Sequence, residues 1–472
     1  MKSIPNSPIP RRRRLLQSLA GLGGLLAGRG AFATLATNDA AAASAPGIDL
    51  LQAQTEVRLA LLMGNSAYPA PFDLPPIPKN VHDLKYALEQ RGFKVTDALN
   101  GDLPASRKTL DDFIEMASAA PADATVFFYF SGHGIQVDAT NLLLPAGLDP
   151  SGKPDKVRSG SVRLIDDVIL RVPPRKGGTL VAVVDACRTN LRAGADSGLN
   201  QVVAPADSLI AFSTGAGRPA IAPADANHNT FFTASLVKLL ESTSDQTEFR
   251  DLFQLVRVDV RETMLKFPVE AIRKLAQDPF IADSTRVSCQ LAPRGSAPAA
   301  GPAKPEEFDE EADWQKLNEA VWPADVVQLA DAFLKAHPKS PHAPSAMVAR
   351  NGAQASLKAL QSRDVRLFKT AFDLPTNAGE DLQRDLSRAG RGDKDAAARI
   401  GAVQKTRINA PNGLNRYEGW LQLASALGNG IASYELALHY RSLNQPLLST
   451  QWESRARELG YTPPPTLDNV RK

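Results

Sequence analysis

Residues 56–290 alternate between short apolar runs and amphipathic segments. The apolar runs have the length of strands and lie at 57–63, 93–98, 124–130, 142–144, 179–184 and 208–212. Apolar positions at helical spacing predict helices between them, at 81–91, 104–119, 164–172, 231–240 and 249–264. This alternation predicts an α/β domain with a mainly parallel sheet sandwiched by helices.

The pattern changes after residue 290. Residues 291–306 are rich in Pro, Ala and Gly and predict a linker. Residues 307–472 show helical periodicity only, and they hold all four tryptophans. Gly392-Asp393 and Gly428-Asn429 each precede an Ala-rich helix, which predicts an all-α domain of helical hairpin repeats similar to tetratricopeptide or Sel1 repeats. An unrelated helical bundle remains the alternative.

The first 33 residues have the features of a signal peptide. Arg11 to Arg14 precede a weakly apolar stretch, and Ala31-Phe32-Ala33 is a small-residue cleavage site. The run Arg12-Arg13-Arg14-Leu15-Leu16-Gln17 resembles the twin-arginine export signature. We therefore expect an exported protein, periplasmic or secreted, with residues 34–55 as a flexible leader. An uncleaved basic tail is the alternative.

Charge and hydropathy give no indication that the chain binds nucleic acid or a membrane. The net charge of the chain is +3, and its small excess of bases comes from residues 1–33. A balance of this kind gives no indication of binding to nucleic acid or to an anionic membrane surface. No segment reaches the roughly 18 consecutive apolar residues that a stable membrane span requires.

Two apolar strands end at reactive residues. The run from Val126 stops at His133, and the run from Leu180 stops at Cys187. Ligand crevices in open α/β sheets lie beyond the carboxyl ends of the strands, so both residues are predicted to face one crevice. A thiol and an imidazole placed together form an activated nucleophile pair. The alternatives are a structural histidine, a core cysteine, or a Cys187–Cys289 disulfide, since these are the two cysteines of the chain.

Backbone and carboxylate groups complete this predicted crevice. The N–H groups of Gly134 and Cys187 are placed to form a two-donor oxyanion hole. Asp185 lies two residues before Cys187, so strand geometry turns both side chains to the same face of the sheet.

These two segments resemble the motifs of a known family. Ser131-Gly132-His133-Gly134 resembles the histidine motif of the caspase-like cysteine peptidases, and Asp185-Ala186-Cys187-Arg188 resembles their cysteine motif. The bacterial metacaspase type is the most similar, and the resemblance covers about residues 56–290. It implies a caspase-like fold and an endopeptidase in which Cys187 is the nucleophile and His133 the general base and acid.

The resemblance also implies a specificity. Metacaspases cleave after Arg or Lys and use an acidic pocket, for which the matching residues are Asp83 and Asp185, with Ser131 at the pocket wall. Carboxylates favour a cationic side chain. The family usually has Asn before the first acid, whereas this chain has His82. An ordinary charge in the first turn of a helix is the alternative for Asp83.

A calcium site is the remaining question about cofactors. Some metacaspases bind calcium through acids for which Asp149, Asp166 and Asp167 are the counterparts. Carboxylate oxygens suit calcium, but residues 151–161 carry three basic residues and no suitable fourth acid, which favours solvated loop charges. No cofactor is therefore required, and Ca²⁺ at these acids is the alternative.

The sequence thus predicts an exported cysteine endopeptidase that acts on peptide or protein substrates. Residues 307–472 are predicted to bind a protein partner. A catalytically silent caspase-like scaffold that acts through its helical repeats is one rival hypothesis. The other is a Cys–His hydrolase or transferase with a non-peptide substrate, which the acidic pocket disfavours.

Overall fold

A computed structural model describes residues 56–137, 140–187, 201–215, 220–221, 223, 225–295, 309–375 and 378–461, and Cys187 through its backbone. The predicted signal peptide (1–33) and leader (34–55) lie outside these residues, as does the predicted linker from residue 296 onward. Within the described part, no helix is both long enough and apolar enough to cross a bilayer.

A mainly parallel sheet forms the centre of the first domain. Its strands are β1 (Arg58–Gly64), β2 (Lys94–Leu99), β3 (Thr125–Val137), β6 (Thr179–Cys187), β7 (Ser208–Phe212) and β8 (Phe280–Asp283). They lie in the order β2-β1-β3-β6-β7-β8, and only β8 is antiparallel to its neighbour. Two short strands, β4 (Thr140–Leu143) and β5 (Val162–Arg163), continue from β3 as antiparallel neighbours. The predicted α/β class is confirmed.

Helices cover both faces of this sheet. They are α1 (Ile77–Gln90), α2 (Leu103–Ala119), α3 (Pro154–Ser159), α4 (Phe231–Ser242), α5 (Phe249–Leu265) and α6 (Glu270–Lys274). Along β3, Phe128 and Phe130 pack on the side of α2, whereas Phe127 and Tyr129 pack on the side of α1, α4 and α5. Burial on both faces explains why this strand is apolar at successive positions rather than alternating.

Strand β3 is longer than the apolar pattern predicts. The pattern places its end before His133, but the strand continues to Val137. Up to His133 it pairs with β6 in the parallel sheet, and from Gly134 onward it pairs with β4 in an antiparallel hairpin. The polar and glycine residues from Ser131 onward do not predict a strand. Residues 134–137 are extended because they form hydrogen bonds with β4 in the hairpin.

Other boundaries differ for identifiable reasons. Helix α1 begins at Ile77, before the predicted start at residue 81, because proline is tolerated in the first turn of a helix. Residues 164–171 form a π turn and a 3₁₀ turn where a helix is predicted. The first residues of the predicted linker pack on the domain: Leu291 is fully buried, and its carbonyl accepts from the Arg58 guanidinium at 2.7 Å.

The C-terminal region is all-helical, as predicted. Its helices are α7 (Glu310–Glu319), α8 (Pro323–Ala336), α9 (Ala343–Leu360), α10 (Glu380–Gly390), α11 (Lys394–Lys405), α12 (Gly413–Ala426), α13 (Gly430–Ser442) and α14 (Pro446–Glu458). Gly392, Gly428 and Gly460 follow the ends of α10, α12 and α14 with φ of 84°, 104° and 81°. Glycine adopts this left-handed conformation without strain and ends a helix there, which accounts for the glycine spacing in the sequence.

Helix α11 lies against the outer edge of the sheet. The Lys394 ammonium donates to the backbone carbonyl of Ile281 in β8 at 2.6 Å. The backbone N–H of Asp283 donates to the Asp395 carboxylate at 3.1 Å, and the Arg399 guanidinium donates to the Asp283 carbonyl at 2.9 Å. The helical region therefore contacts the sheet through hydrogen bonds to the backbone of its last strand.

Candidate active site

The register of two neighbouring strands brings the two sequence motifs together. In the ladder between β3 and β6, Ser131 pairs with Asp185 and His133 pairs with Cys187. Both pairs lie at the carboxyl edge of the parallel sheet, where crevices form in such folds. The sequence identifies both motifs but does not give this one-to-one register.

The His133 side chain is held in one orientation. It is 5% exposed, and its Nε2 lies 2.7 Å from the backbone carbonyl oxygen of Phe72. A carbonyl oxygen only accepts hydrogen bonds, so Nε2 carries the proton and Nδ1 carries the free lone pair. Burial lowers the pKa of His133, although the hydrogen bond to Phe72 raises it in part. The imidazole is therefore neutral near pH 7 and suited to act as a base through Nδ1.

Tyr68 is a second support of His133. Its hydroxyl donates to the carbonyl of Leu144 at 2.9 Å and accepts from the backbone N–H of His133 at 3.1 Å. The two rings meet edge to face with centroids 4.5 Å apart. Gly132 permits this packing, since a Cβ there would lie 2.8 Å from the Tyr68 hydroxyl. The sequence pattern alone assigns Tyr68 no role.

Asp185 is a buried carboxylate with neutral partners. It is 4% exposed and accepts hydrogen bonds from the hydroxyls of Thr230 and Thr233 at the start of α4, the second at 2.7 Å. Burial raises the pKa of Asp185, and these hydrogen bonds lower it only in part. No basic side chain among the described residues forms an ion pair with it.

Ser131 and Asn80 continue this polar cluster. The Asn80 side-chain amide donates to the hydroxyls of Ser131 and Thr230, at 3.2 and 3.1 Å. Its carbonyl oxygen accepts from the backbone N–H of Thr230 at 3.0 Å. Asn80 is fully buried on α1 and ties this helix to the start of α4. Sequence reasoning missed Asn80 because a polar residue three positions before Asp83 carries no signal of its own.

Asp83 lies near this cluster but has a cationic partner already. Its carboxylate is 2.8 Å from the Lys79 ammonium and accepts from the Asn229 side chain at 2.8 Å. Burial raises the pKa of Asp83, but hydrogen bonds from Lys79, His82 and Asn229 outweigh it and lower the pKa overall. Asp83 and Asp185 thus bind successive residues of one turn, Asn229 and Thr230, rather than each other.

Gly134 is buried and pairs with Leu143 in the hairpin of β3 and β4. It follows the residue that pairs with Cys187. The oxyanion-hole role of the Gly134 and Cys187 amides remains a prediction.

The three acids considered for calcium do not converge. Asp149 accepts from the backbone N–H and hydroxyl of Ser151, at 2.8 and 2.6 Å. Asp166 and Asp167 both pair with the Arg163 guanidinium, at 3.1 and 2.6 Å. No group of three or more metal-ligating residues is present in the part of the chain that the structure describes.

Cys289 is a free thiol and excludes the disulfide alternative. It is buried and lies 3.4 Å from the Thr125 hydroxyl at the start of β3. Cys187 pairs with His133, eight residues farther along the same strand, which corresponds to about 26 Å. Burial raises the pKa of Cys289 to about 11, so this thiol is unreactive at neutral pH.

Comparisons with known proteins give one family match. Residues 57–288, just under half of the chain, match the family model of the caspase domain. No curated protein matches the chain significantly. Among solved structures, caspase-1 from Spodoptera frugiperda matches over 52% of this chain and 94% of its own, with 18% sequence identity and a TM-score of 0.39.

The structural similarity carries no argument about function at that level, whereas the family match does. Caspase domains are the catalytic domains of cysteine peptidases, which act on peptide or protein substrates. Residues 57–288 therefore match a caspase domain, and the chain is a cysteine-type endopeptidase.

Proposed function

We propose that this endopeptidase hydrolyses peptide bonds after Arg or Lys by means of His133 and Cys187. The observation that carries the proposal is the strand register, in which His133 pairs with Cys187 while Ser131 pairs with Asp185. One edge of the sheet thus supplies a reactive pair and, two residues earlier on both strands, a buried carboxylate beside a hydroxyl.

The chemistry follows from the protonation of the imidazole. Nδ1 of His133 takes the proton of the Cys187 thiol as the sulfur attacks the carbonyl carbon of the substrate. The imidazolium then gives this proton to the leaving amine, and a thioester remains. Water attacks the thioester, His133 takes a proton from it, and the carboxylic acid leaves as the thiol is restored. The bond between Nε2 and the Phe72 carbonyl stabilises the transient imidazolium.

The Asp185 carboxylate has no ion-pair partner among the described residues, which supports the preference for a cation. Its only partners among the described groups are neutral hydroxyls, and its pKa is raised by burial. A substrate guanidinium or ammonium offsets the cost of a buried anion through charge-assisted hydrogen bonds, each worth about 1.5–3 kcal/mol. Asp83 is the weaker candidate because Lys79 already neutralises its charge.

Three further parts of the proposal rest on the sequence. We propose export through the twin-arginine route to the periplasm or the medium, a metacaspase-type rather than caspase-type peptidase, and partner binding by tetratricopeptide- or Sel1-like repeats in residues 307–472. The glycine-terminated helices of that region support the last of these.

The test is an assay of the purified chain on fluorogenic peptides that end in Arg, Lys or Asp, with and without calcium. We expect cleavage after Arg and Lys, and no turnover by Cys187→Ala. The matched control is Cys289→Ala, which removes the other, buried thiol and retains activity. A wild type that cleaves after Asp contradicts the specificity, and turnover by Cys187→Ala contradicts the reactive pair.

A further inference from the structure

We propose that the groove between the peptidase domain and the helical domain binds an extended segment of the polypeptide substrate, away from the bond that is cleaved. The proposal rests on the proposed function for its turnover readout, because it extends the substrate site of the same peptidase. Its binding readout needs no catalysis.

Both domains contribute to this groove. It has a volume of about 2000 Å³ and lies between helix α5 of the peptidase domain and the helices α9 to α14. Helices α5 and α9 contact each other. Val258 and Leu265 line the wall that α5 forms, and Met347 lines the wall that α9 forms. A ligand in the groove therefore contacts the peptidase domain and the helical domain at once.

The groove begins at the carboxyl edge of the sheet, where β6 ends at Cys187. Strands β6 and β7 are paired up to Val184 and Phe212, and Cys187 and Gly215 each lie three residues beyond that pair. Gly215 lines the groove together with Asp278, and a Cβ at Gly215 would lie 3.4 Å from the Asp278 carbonyl oxygen. The groove is thus continuous with the edge that carries the reactive pair, so a substrate chain held there can extend into it.

The walls expose aliphatic side chains to solvent. Val258 is 46% exposed, Leu265 is 47% exposed and Met347 is 37% exposed. Single exposed aliphatic residues are common on protein surfaces, but these three lie in one concave surface between two domains. Such surfaces are preferred places for ligand binding.

Two buried acceptors in the groove point to a ligand with N–H groups. Gln277 lines the groove and is 2% exposed, and its side-chain carbonyl oxygen has no hydrogen-bond partner among the described groups. The side-chain carbonyl oxygen of Gln246, another lining residue, is also buried without a described partner. A buried acceptor without a donor is destabilising. An extended polypeptide supplies a main-chain N–H at every residue except proline.

The charges of the groove decide between classes of ligand. Eight basic and ten acidic side chains line it, so neither sign dominates. Arg257 binds Asp278 through two hydrogen bonds of 2.6 and 2.9 Å, and on the opposite wall Arg455 pairs with Glu458 at 3.1 Å. A balanced surface of this kind does not attract a polyanion or a strongly charged peptide. It fits an unfolded stretch of protein that is recognised through its main chain and its apolar side chains.

The experiment places a charge on each wall of the groove in the full chain. The groove variants are Val258→Glu and Met347→Glu. The matched controls are Val403→Glu on α11 and Leu414→Glu on α12, which lie outside the groove and are 49% and 39% exposed. Each variant is assayed on casein, an unfolded protein substrate, and on a short fluorogenic Arg peptide that spans only the cleaved bond.

We expect each groove variant to lower kcat/KM for casein by on the order of 10-fold, because a bound segment buries the new carboxylate without a partner. The value for the short peptide stays unchanged, which also shows that the variants are folded, and the controls change neither value. Unchanged cleavage of casein by the groove variants would overturn the inference. An equal loss on both substrates would do so too, as would an equal loss on casein in the controls.

Binding by the Cys187→Ala chain separates this inference from the proposed function. Labelled casein is titrated with that chain, and Kd is obtained from fluorescence anisotropy. In this background Val258→Glu and Met347→Glu are expected to raise Kd by on the order of 10-fold, or 1.4 kcal/mol. A wild type that binds casein through the groove but does not cleave it contradicts the proposed function alone. Absence of binding, or an equal Kd with and without the groove substitutions, contradicts the inference.

Discussion

The Tyr68 hydroxyl and the His133 backbone form one hydrogen bond at 3.1 Å, while the two rings meet edge to face 4.5 Å apart. One side chain thus fixes both the main chain and the imidazole of His133, the general base of the proposed mechanism. The same hydroxyl donates to the carbonyl of Leu144, which also accepts from the Asn65 amide at 3.0 Å. The base is therefore positioned by the loop that follows β1, together with the hairpin of β3 and β4.

Tyr68→Phe tests this arrangement. The variant keeps the ring contact but leaves the N–H of His133 without its acceptor, so the unfolding free energy is expected to fall by about 1–3 kcal/mol. Without this hydrogen bond the imidazole is expected to shift, which lowers kcat by on the order of 10-fold to 100-fold with little change in KM. Steady-state kinetics and thermal unfolding measure the two effects. The matched control is Tyr86→Phe on α1, where the side chain is 57% exposed, and we expect no change there.

Asp185→Asn tests the proposed specificity for Arg and Lys. Removing the negative charge should lower kcat/KM for Arg peptides by about 10-fold to 100-fold, at 1.4 kcal/mol per factor of ten. Tm should stay the same or rise at pH 8, because burial disfavours the ionised carboxyl. Asp83→Asn should have the smaller effect on kcat/KM, since Lys79 already pairs with that carboxylate. A larger effect at Asp83 would reverse this ranking of the two acids.

The lowered pKa of His133 predicts a pH dependence of stability. The unfolded chain protonates this imidazole near pH 6.5, whereas the folded chain does so only at lower pH. The associated stability is present above about pH 6.5 and is lost as the pH falls through the folded pKa. Unfolding free energies between pH 8 and pH 5 should therefore fall more for wild type than for His133→Gln. Equal slopes for the two proteins would argue against a neutral, buried His133.

The pH dependence of kcat/KM should also report the titration of His133. The acid limb of kcat/KM is expected below pH 6.5, because only the neutral imidazole accepts the thiol proton. Burial also raises the pKa of Asp185, so the profile is measured for wild type and for Asp185→Asn. The His133 limb persists in the variant, and its disappearance would assign the limb to Asp185.

Export is tested by charge-conserving substitutions in the predicted signal peptide. Replacing Arg12 and Arg13 together by Lys should leave the protein in the cytoplasm and uncleaved after Ala33, because the twin-arginine signature requires the arginines themselves. Replacing Arg11 and Arg14 by Lys is the control and should leave export intact. Cell fractionation with N-terminal sequencing gives the result. Normal processing of the first variant would point to the general secretory route.

The two motifs around His133 and Cys187 were accessible from the sequence because their chemistry is local to single strands. The α/β class followed from periodicity for the same reason. The support of His133 by Phe72 was not accessible, since a backbone carbonyl leaves no trace in residue identity. The partners of Asp185 lie 45 and 48 residues away, and no local pattern connects them.

The contacts between the helical domain and the caspase-like domain could not be predicted from the sequence either. Its linker composition predicts a separate unit, yet Gln201 and α11 tie the two regions together over more than a hundred residues of chain. Hydrogen bonds from side chains to distant backbone groups have no periodicity, so they emerge only in the folded chain.

The contacts of α11 with β8 cover backbone groups at the edge of the sheet. The last strand of an open sheet presents unpaired N–H and C=O groups, which act as a template for a strand from another molecule. Here the side chains of Lys394, Asp395 and Arg399 occupy such groups on Ile281 and Asp283. A foreign strand would first have to displace three charged partners. The helical domain thus hinders the pairing of this sheet edge with a strand from another molecule.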